Sequence, residues 1–193
     1  MANPGIVGAW ADRVLLQASA CGRAPRTASD AEAAAIPVRA LAAWQALDLL
    51  DLPRESTLLI VGAGGAVGRA AVEMARGRGL HVIAIAGAGA LEPLRRLGAG
   101  VAVDHRTEWG RHLADAAPRG VEAALDLVGG ESLARALDLV CDGGRVVTII
   151  WGAAQIGAPR GISIRFLPMR STLGALDAMR SRDRAPGELV LLS

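Results

Sequence analysis

Leu58-Leu-Ile-Val61, then Gly62-Ala-Gly-Gly-Ala-Val-Gly68, then Arg69-Ala-Ala-Val-Glu-Met-Ala-Arg76 follow one another without a break, and their reading decides the fold. The first piece is a continuous apolar run, as a strand buried on both faces requires. The second supplies small residues where a strand must turn sharply into a helix. From there Val67, Ala70, Ala71, Met74 and Ala75 recur at i, i+3, i+4, i+7 and i+8, which is one face of a helix. Arg69, Glu73 and Arg76 fall elsewhere on that helix, at spacings that let them pair with each other.

A glycine-rich turn in this position lets a backbone come close to a diphosphate, and the helix start offers unpaired N–H groups and a positive dipole end to the anion. Gly62, Gly65 and Gly68 recur every third residue with Gly64 as an extra, whereas the strict G-x-G-x-x-G form would need glycine at 67, which is Val. The bland alternative is a tight strand–helix turn with no ligand. Its place between a buried strand and an amphipathic helix favours nucleotide contact. Gly62, Gly64, Gly65, Ala66, Val67 and Gly68 are therefore the candidate cradle.

Outward from the turn, strand and helix patterns alternate. Strands are expected at His81–Ala86, Val101–Val103, Val121–Val128, Arg145–Ile150 and Ile162–Phe166, and helices at Leu91–Leu97, Glu131–Val140 and Ser171–Arg182. Glu188–Leu192 reads as a last strand. Upstream, Gly8–Leu16 reads as a strand and Ser19–Ala28 as a connector. Ser29-Asp-Ala-Glu32 is a capping box opening a short helix that Pro37 interrupts, with a second helix from Val38 to Leu50. Such alternation predicts an α/β domain with a doubly wound, mainly parallel sheet, right-handed crossovers and helices on both faces. The division is 1–28 as a residual strand and connector and 29–193 as one Rossmann-like dinucleotide-binding domain.

Composition narrows the function classes. Hydrophobic residues make up 52% of the 193, enough for a sizeable core, and at 3% aromatic that core is aliphatic. Every basic residue is Arg, so no lysine is available for a Schiff base or a P-loop. A net charge of +2 with scattered arginines argues against nucleic acid. No signal pattern or bilayer-length apolar run is read, which points to a cytoplasmic protein away from membranes. Cys21 and Cys141 are too few for a cysteine cluster, and His81, His105 and His112 form no ligand pair, so no metal is expected.

The run from Glu32 to Leu47, the turn from Leu59 to Val72, Leu97-Gly-Ala99 with Val103-Asp-His-Arg106, Leu125-Asp-Leu-Val-Gly-Gly130 and Gly143-Gly-Arg-Val-Val147 keep an order and spacing together. In these motifs the chain resembles the quinone oxidoreductase-like, zinc-independent branch of the medium-chain dehydrogenases/reductases. The resemblance implies NADP(H) or NAD(H) as cofactor, a small organic substrate, and a second, GroES-like barrel domain. Gly8–Leu16 resembles only the last barrel segment before the nucleotide domain, and the chain ends where the return to the barrel is expected, so the barrel is expected to be largely missing.

Several positions depart from the family pattern. A Thr expected near the nicotinamide is replaced within Ala40-Leu41-Ala42-Ala43, and His105 stands where a Tyr is usual and offers a ring for adenine. After the second strand an acid would favour the ribose of NAD and a basic or Ser-rich cluster the phosphate of NADP. Gly87-Ala-Gly-Ala90 has neither; Arg95, Arg96 and Arg106 are the arginines that could reach a 2′-phosphate, but each reads better as a solvated surface arginine. Val128, Gly129, Gly130, Ile150, Trp151 and Gly152 are expected to line the crevice beyond the strand ends, with Trp151 either covering a ligand or packed. Acid–base candidates are scarce: His105, His112 and Asp126, with Asp104 and Asp12 behind them. Asp126, inside an apolar strand, would have a raised pKa unless paired.

Two functions remain open from sequence. One is an NAD(P)(H)-dependent oxidoreductase reduced to its cofactor domain and completed by a second subunit. The other is a cofactor-free cyclase, isomerase or binding module reusing the crevice. An apolar edge at Ile162–Phe166 also predicts a homodimer through sheet extension.

Overall fold

A computed structural model describes residues 12–15, 29–155 and 157–168. Helix α1 (Asp30–Leu50) precedes β1 (Thr57–Val61), α2 (Ala66–Gly77), β2 (His81–Ala86), α3 (Leu91–Leu97) and β3 (Val101–Asp104). Then come α4 (Trp109–Leu113), β4 (Val121–Asp126), α5 (Gly130–Leu139), β5 (Val140–Thr148) and β6 (Ser163–Phe166). The strands form one sheet in the order β3-β2-β1-β4-β5-β6, and every pair is parallel. This is the Rossmann-like doubly wound order, with the direction of winding reversing between β1 and β4.

Alternation along the strands sorts the core into two layers. Leu58, Ile60, Val82, Ala84 and Leu125 face α1, α2 and α3, whereas Leu59, Val61, Ile83, Ile85 and Ala124 face α4 and α5. Both faces are thus covered, as an all-parallel sheet demands. At the outer edge, β6 pairs only with β5 among the described residues, the position the homodimer expectation needs.

Pro37 does not split α1; the helix runs through it. The missing N–H costs one bond, and the stripe Ile36, Ala40, Ala43, Trp44, Leu47 and Leu50 offsets that cost by burial in the core. An Arg78–Asp48 ion pair at 3.3 Å ties α1 to α2. The Ala33–Leu50 stretch is, contrary to the sequence expectation, long and apolar enough on length and composition to cross a membrane, yet 50% of it is buried inside this domain.

Other expectations shift for identifiable reasons. Residues 12–15 are irregular rather than strand, and the rest of Gly8–Leu16, the 19–28 connector, Cys21, the 171–182 helix and the 188–192 strand lie outside the described residues. Helix α4 was not anticipated; its five residues carry only Trp109 and Leu113 to the core, too short a pattern to recognise. Strand β5 starts earlier than expected, at Val140 opposite Val121, and a register irregularity follows before Arg145 pairs with Ala123. On α2, the predicted pairing among Arg69, Glu73 and Arg76 gives way to other contacts. Burial holds the Glu73 carboxyl above the usual range, against the opposing pull of Arg39 from α1.

Candidate functional site

Strand β1 ends at Val61 and the chain turns at Gly62, whose φ of +83° suits glycine. The N–H groups of Gly62 and Ala63 both donate to the Ile85 carbonyl at 3.0 Å, pinning the turn to β2. Gly68 lies so close to this turn that an added Cβ would sit 2.5 Å from the Ala63 Cα and 2.6 Å from the Gly62 oxygen. That approach seats the first turn of α2 directly over the end of β1.

The start of α2 is open. Gly65 is its N-cap and no side chain caps it, so its first N–H groups are available to an outside acceptor. Gly65 and Ala66 are exposed, and a Cβ on Gly65 would meet nothing nearer than the Gly62 oxygen at 3.6 Å. Among the described residues, no side chain caps these amides. Gly64 and Val67 are partly buried beside them.

The opposite wall comes from the ends of β4 and β5, across the point where the winding reverses. A Cβ on Gly62 would lie 2.8 Å from Val128 Cγ2, so the two loops meet. Val128 is 51% exposed, Ile150 is partly buried, and Gly129 packs on Ile150. Trp151 is 83% exposed and meets Phe166 edge-on with ring centroids 5.1 Å apart, so it is not a packed core residue.

Asp126 organises that wall. It is fully buried, and its Oδ1 accepts the N–H groups of Val128 at 3.1 Å and Gly129 at 2.8 Å. Its Oδ2 accepts the Thr148 hydroxyl at 2.7 Å, and Thr148 Oγ1 accepts the Ile150 N–H at 3.1 Å. These bonds explain why β4 stops at Asp126 and β5 at Thr148 instead of running to Val128 and Ile150. The pairing that the sequence left open is supplied by Thr148. With both oxygens engaged away from solvent, Asp126 is a positioning residue, not a free acid or base.

The third corner lies where β2 and β3 end. His105 has 57% of its side chain exposed, with Nδ1 3.3 Å from the Ala86 carbonyl oxygen and 3.4 Å from Asp104 Oδ1. Its own carbonyl accepts from Trp109 Nε1 and from Arg135, each at 3.1 Å, and the Arg135 guanidinium lies 4.0 Å over the Trp109 ring. Arg106 grips Asp104 through two side-chain bonds, at 2.7 and 3.1 Å. Those bonds hold the Asp104 carboxyl down to about 2, ionised at any ordinary pH. His112 sits exposed in the last turn of α4 and joins none of these contacts. Asp12 is exposed in the short N-terminal stretch.

Sequence reasoning missed Thr148, Arg135 and Trp109 as parts of this arrangement. Only Thr148 carried a signal, as a hydroxyl at the end of an apolar strand whose register partner is Asp126.

A family model described as zinc-binding dehydrogenase matches residues 66–173, more than half of the chain. The chain belongs to that family. Its structural neighbours include an enoyl reductase and a quinone oxidoreductase of the medium-chain dehydrogenase/reductase type. It is 36% identical over 142 residues to erythronolide synthase EryA2 of Saccharopolyspora erythraea, covering 71% of this chain and 4% of that one. With a probable mitochondrial zinc-binding oxidoreductase of Arthroderma benhamiae it shares 30% over 172 residues, 82% of this chain and 51% of the other. The crystal structure of CurK enoyl reductase superposes with a TM-score of 0.71 at 27% identity, covering 81% of this chain and 51% of that one. The chain thus spans about half of the stand-alone relatives and a tenth or less of the polyketide synthases it matches. Despite the family's name, no group of three or more His, Cys, Asp or Glu that could hold a metal ion comes together among the described residues. A catalytic zinc needs about three protein ligands, so the donor set described here does not fit zinc.

Proposed function

We propose that this domain binds NAD(P)(H) for a reductase of the quinone oxidoreductase or enoyl reductase type, acting on a small organic substrate. The observation that carries the reading is the uncapped, exposed start of α2 behind the 62–68 turn, at the reversal point of the sheet. The amides of Ala66, Val67 and Gly68 and the helix dipole would hold a diphosphate there. His105 offers an exposed ring to adenine at one end. Val128, Gly129, Ile150 and Trp151 would shield the nicotinamide at the other, their loops set by Asp126. When bound, the nicotinamide supplies the hydride, so the protein's task is to bind, orient and exclude water. The substrate, and any second domain or subunit that completes the cleft, belong to this proposal as well.

Titration of the purified chain with NADPH and NADH, followed by nicotinamide fluorescence, tests it. Saturable enhancement with at least one of them is the expected result. No binding of either at millimolar concentration would leave the cofactor-free alternative in its place. Pairing of β6 with its copy in a homodimer is a separate proposal: a dimer mass in light scattering supports it, and a monomer mass at high concentration overturns it.

A further inference from the structure

The corner that would face the ribose lacks the usual discriminators, because residues 87–90 carry neither acid nor base. The three arginines nearest to it in the sequence pattern are already engaged. Arg106 is bound to Asp104. Arg95 donates to the Ala102 carbonyl at 3.1 Å and stands 3.8 Å from Glu92. Arg96 pairs with the same Glu92 at 3.7 Å.

Arg69 differs from all three. It leaves the first turn of α2 and folds back, donating through Nε to the Gly64 carbonyl at 3.0 Å. Gly64 in turn packs against the end of β2 and the turn that follows, since a Cβ there would lie 3.4 Å from Ala86 Cβ and 3.1 Å from Ala90 Cβ. The guanidinium is therefore tethered at the junction of the phosphate-cradling turn and the ribose-reading turn. Its side chain is exposed, and its two terminal nitrogens have no partner among the described residues. A tether through Nε that leaves both terminal nitrogens open presents the fork that matches a phosphate.

Resting on the nucleotide-binding reading above, we infer that Arg69 selects the 2′-phosphate, so that the domain prefers NADPH to NADH. No carboxylate in residues 87–90 is placed to favour a free ribose diol, and Arg69, tethered to Gly64 beside that turn with both terminal nitrogens open, favours a dianion. The preference comes from the glycine-turn helix, not from the end of the second strand where an arginine for the phosphate is ordinarily sought.

Binding of NADPH and NADH, read by fluorescence and by displacement with 2′,5′-ADP, is compared in the wild type, Arg69→Ala, Arg69→Lys and Arg96→Ala. The wild type is expected to favour NADPH by about tenfold or more, the scale of one charge-assisted contact. Arg69→Ala lowers NADPH affinity far more than NADH affinity and so abolishes that preference, Arg69→Lys restores part of it, and Arg96→Ala retains it in full. Equal weakening of both nucleotides, no change in either, or a wild type that does not prefer NADPH overturns the role of Arg69 and leaves the nucleotide site standing. Failure of the wild type to bind either nucleotide overturns the site and the inference together.

Discussion

Gly68→Ala is expected to destabilise the domain by about 2 kcal/mol or more and to weaken nucleotide binding at least about tenfold. Alanine is intrinsically the better helix former by about 1 kcal/mol, so a solvent-exposed glycine in this helix would gain from the change. At Gly68 the methyl group meets the Ala63 Cα at 2.5 Å, the Gly62 oxygen at 2.6 Å and the Ala63 carbonyl carbon at 2.7 Å. All three are backbone, and no rotamer relieves them. The helix must move off the end of β1, which withdraws its amides from the crevice. Gly77, at the other end of α2, provides the contrast, since a Cβ there meets nothing within 4 Å. Gly77→Ala should therefore raise stability by about 0.5–1 kcal/mol. Denaturant unfolding of both variants measures the difference in sign.

Asp126→Ala should cost about 3–5 kcal/mol, because it strands two N–H groups and a buried hydroxyl, each worth about 1–3 kcal/mol when left unsatisfied. Asp126→Asn should fall between the two. Its amide oxygen still accepts from Val128 and Gly129, but its NH2 group replaces the oxygen to which the Thr148 hydroxyl donates. A catalytic acid or base would behave otherwise, with stability nearly unchanged in the asparagine variant and turnover lost. Thermal and denaturant unfolding separate these outcomes without knowledge of the substrate. Thr148→Val should share part of the Asp126→Ala loss, since it removes the same hydroxyl bond.

The parts legible in the sequence were those fixed by contiguous residues. The run ending at Val61, the glycines after it and the one-sided helix that follows give strand, turn and helix within a residue of their bounds. Helix α3 is framed by the turn before it and by Gly98, a left-handed cap after it. Features that depend on pairing between distant segments were not legible. The ends of β4 and β5 follow from the bonds between Asp126 and Thr148, which exist only because the two strands lie in register. Pro37 reads as a breaker until the core that its helix covers is known. Arg69 reads as a surface charge because nothing in its neighbours shows that it turns back onto Gly64. His105 was legible as a ring at the right strand end, but not its anchoring by Trp109 and Arg135.

The most direct test is residue-level: the amide spectrum of the 15N-labelled chain as ADP is added, read at Ala66, Val67 and Gly68, since the Gly65 N–H already donates to the Gly62 carbonyl. Saturable shifts largest at these three amides are the predicted result. An unchanged spectrum there at millimolar ADP, or shifts confined to other surfaces, would contradict the claim that the start of α2 receives a diphosphate.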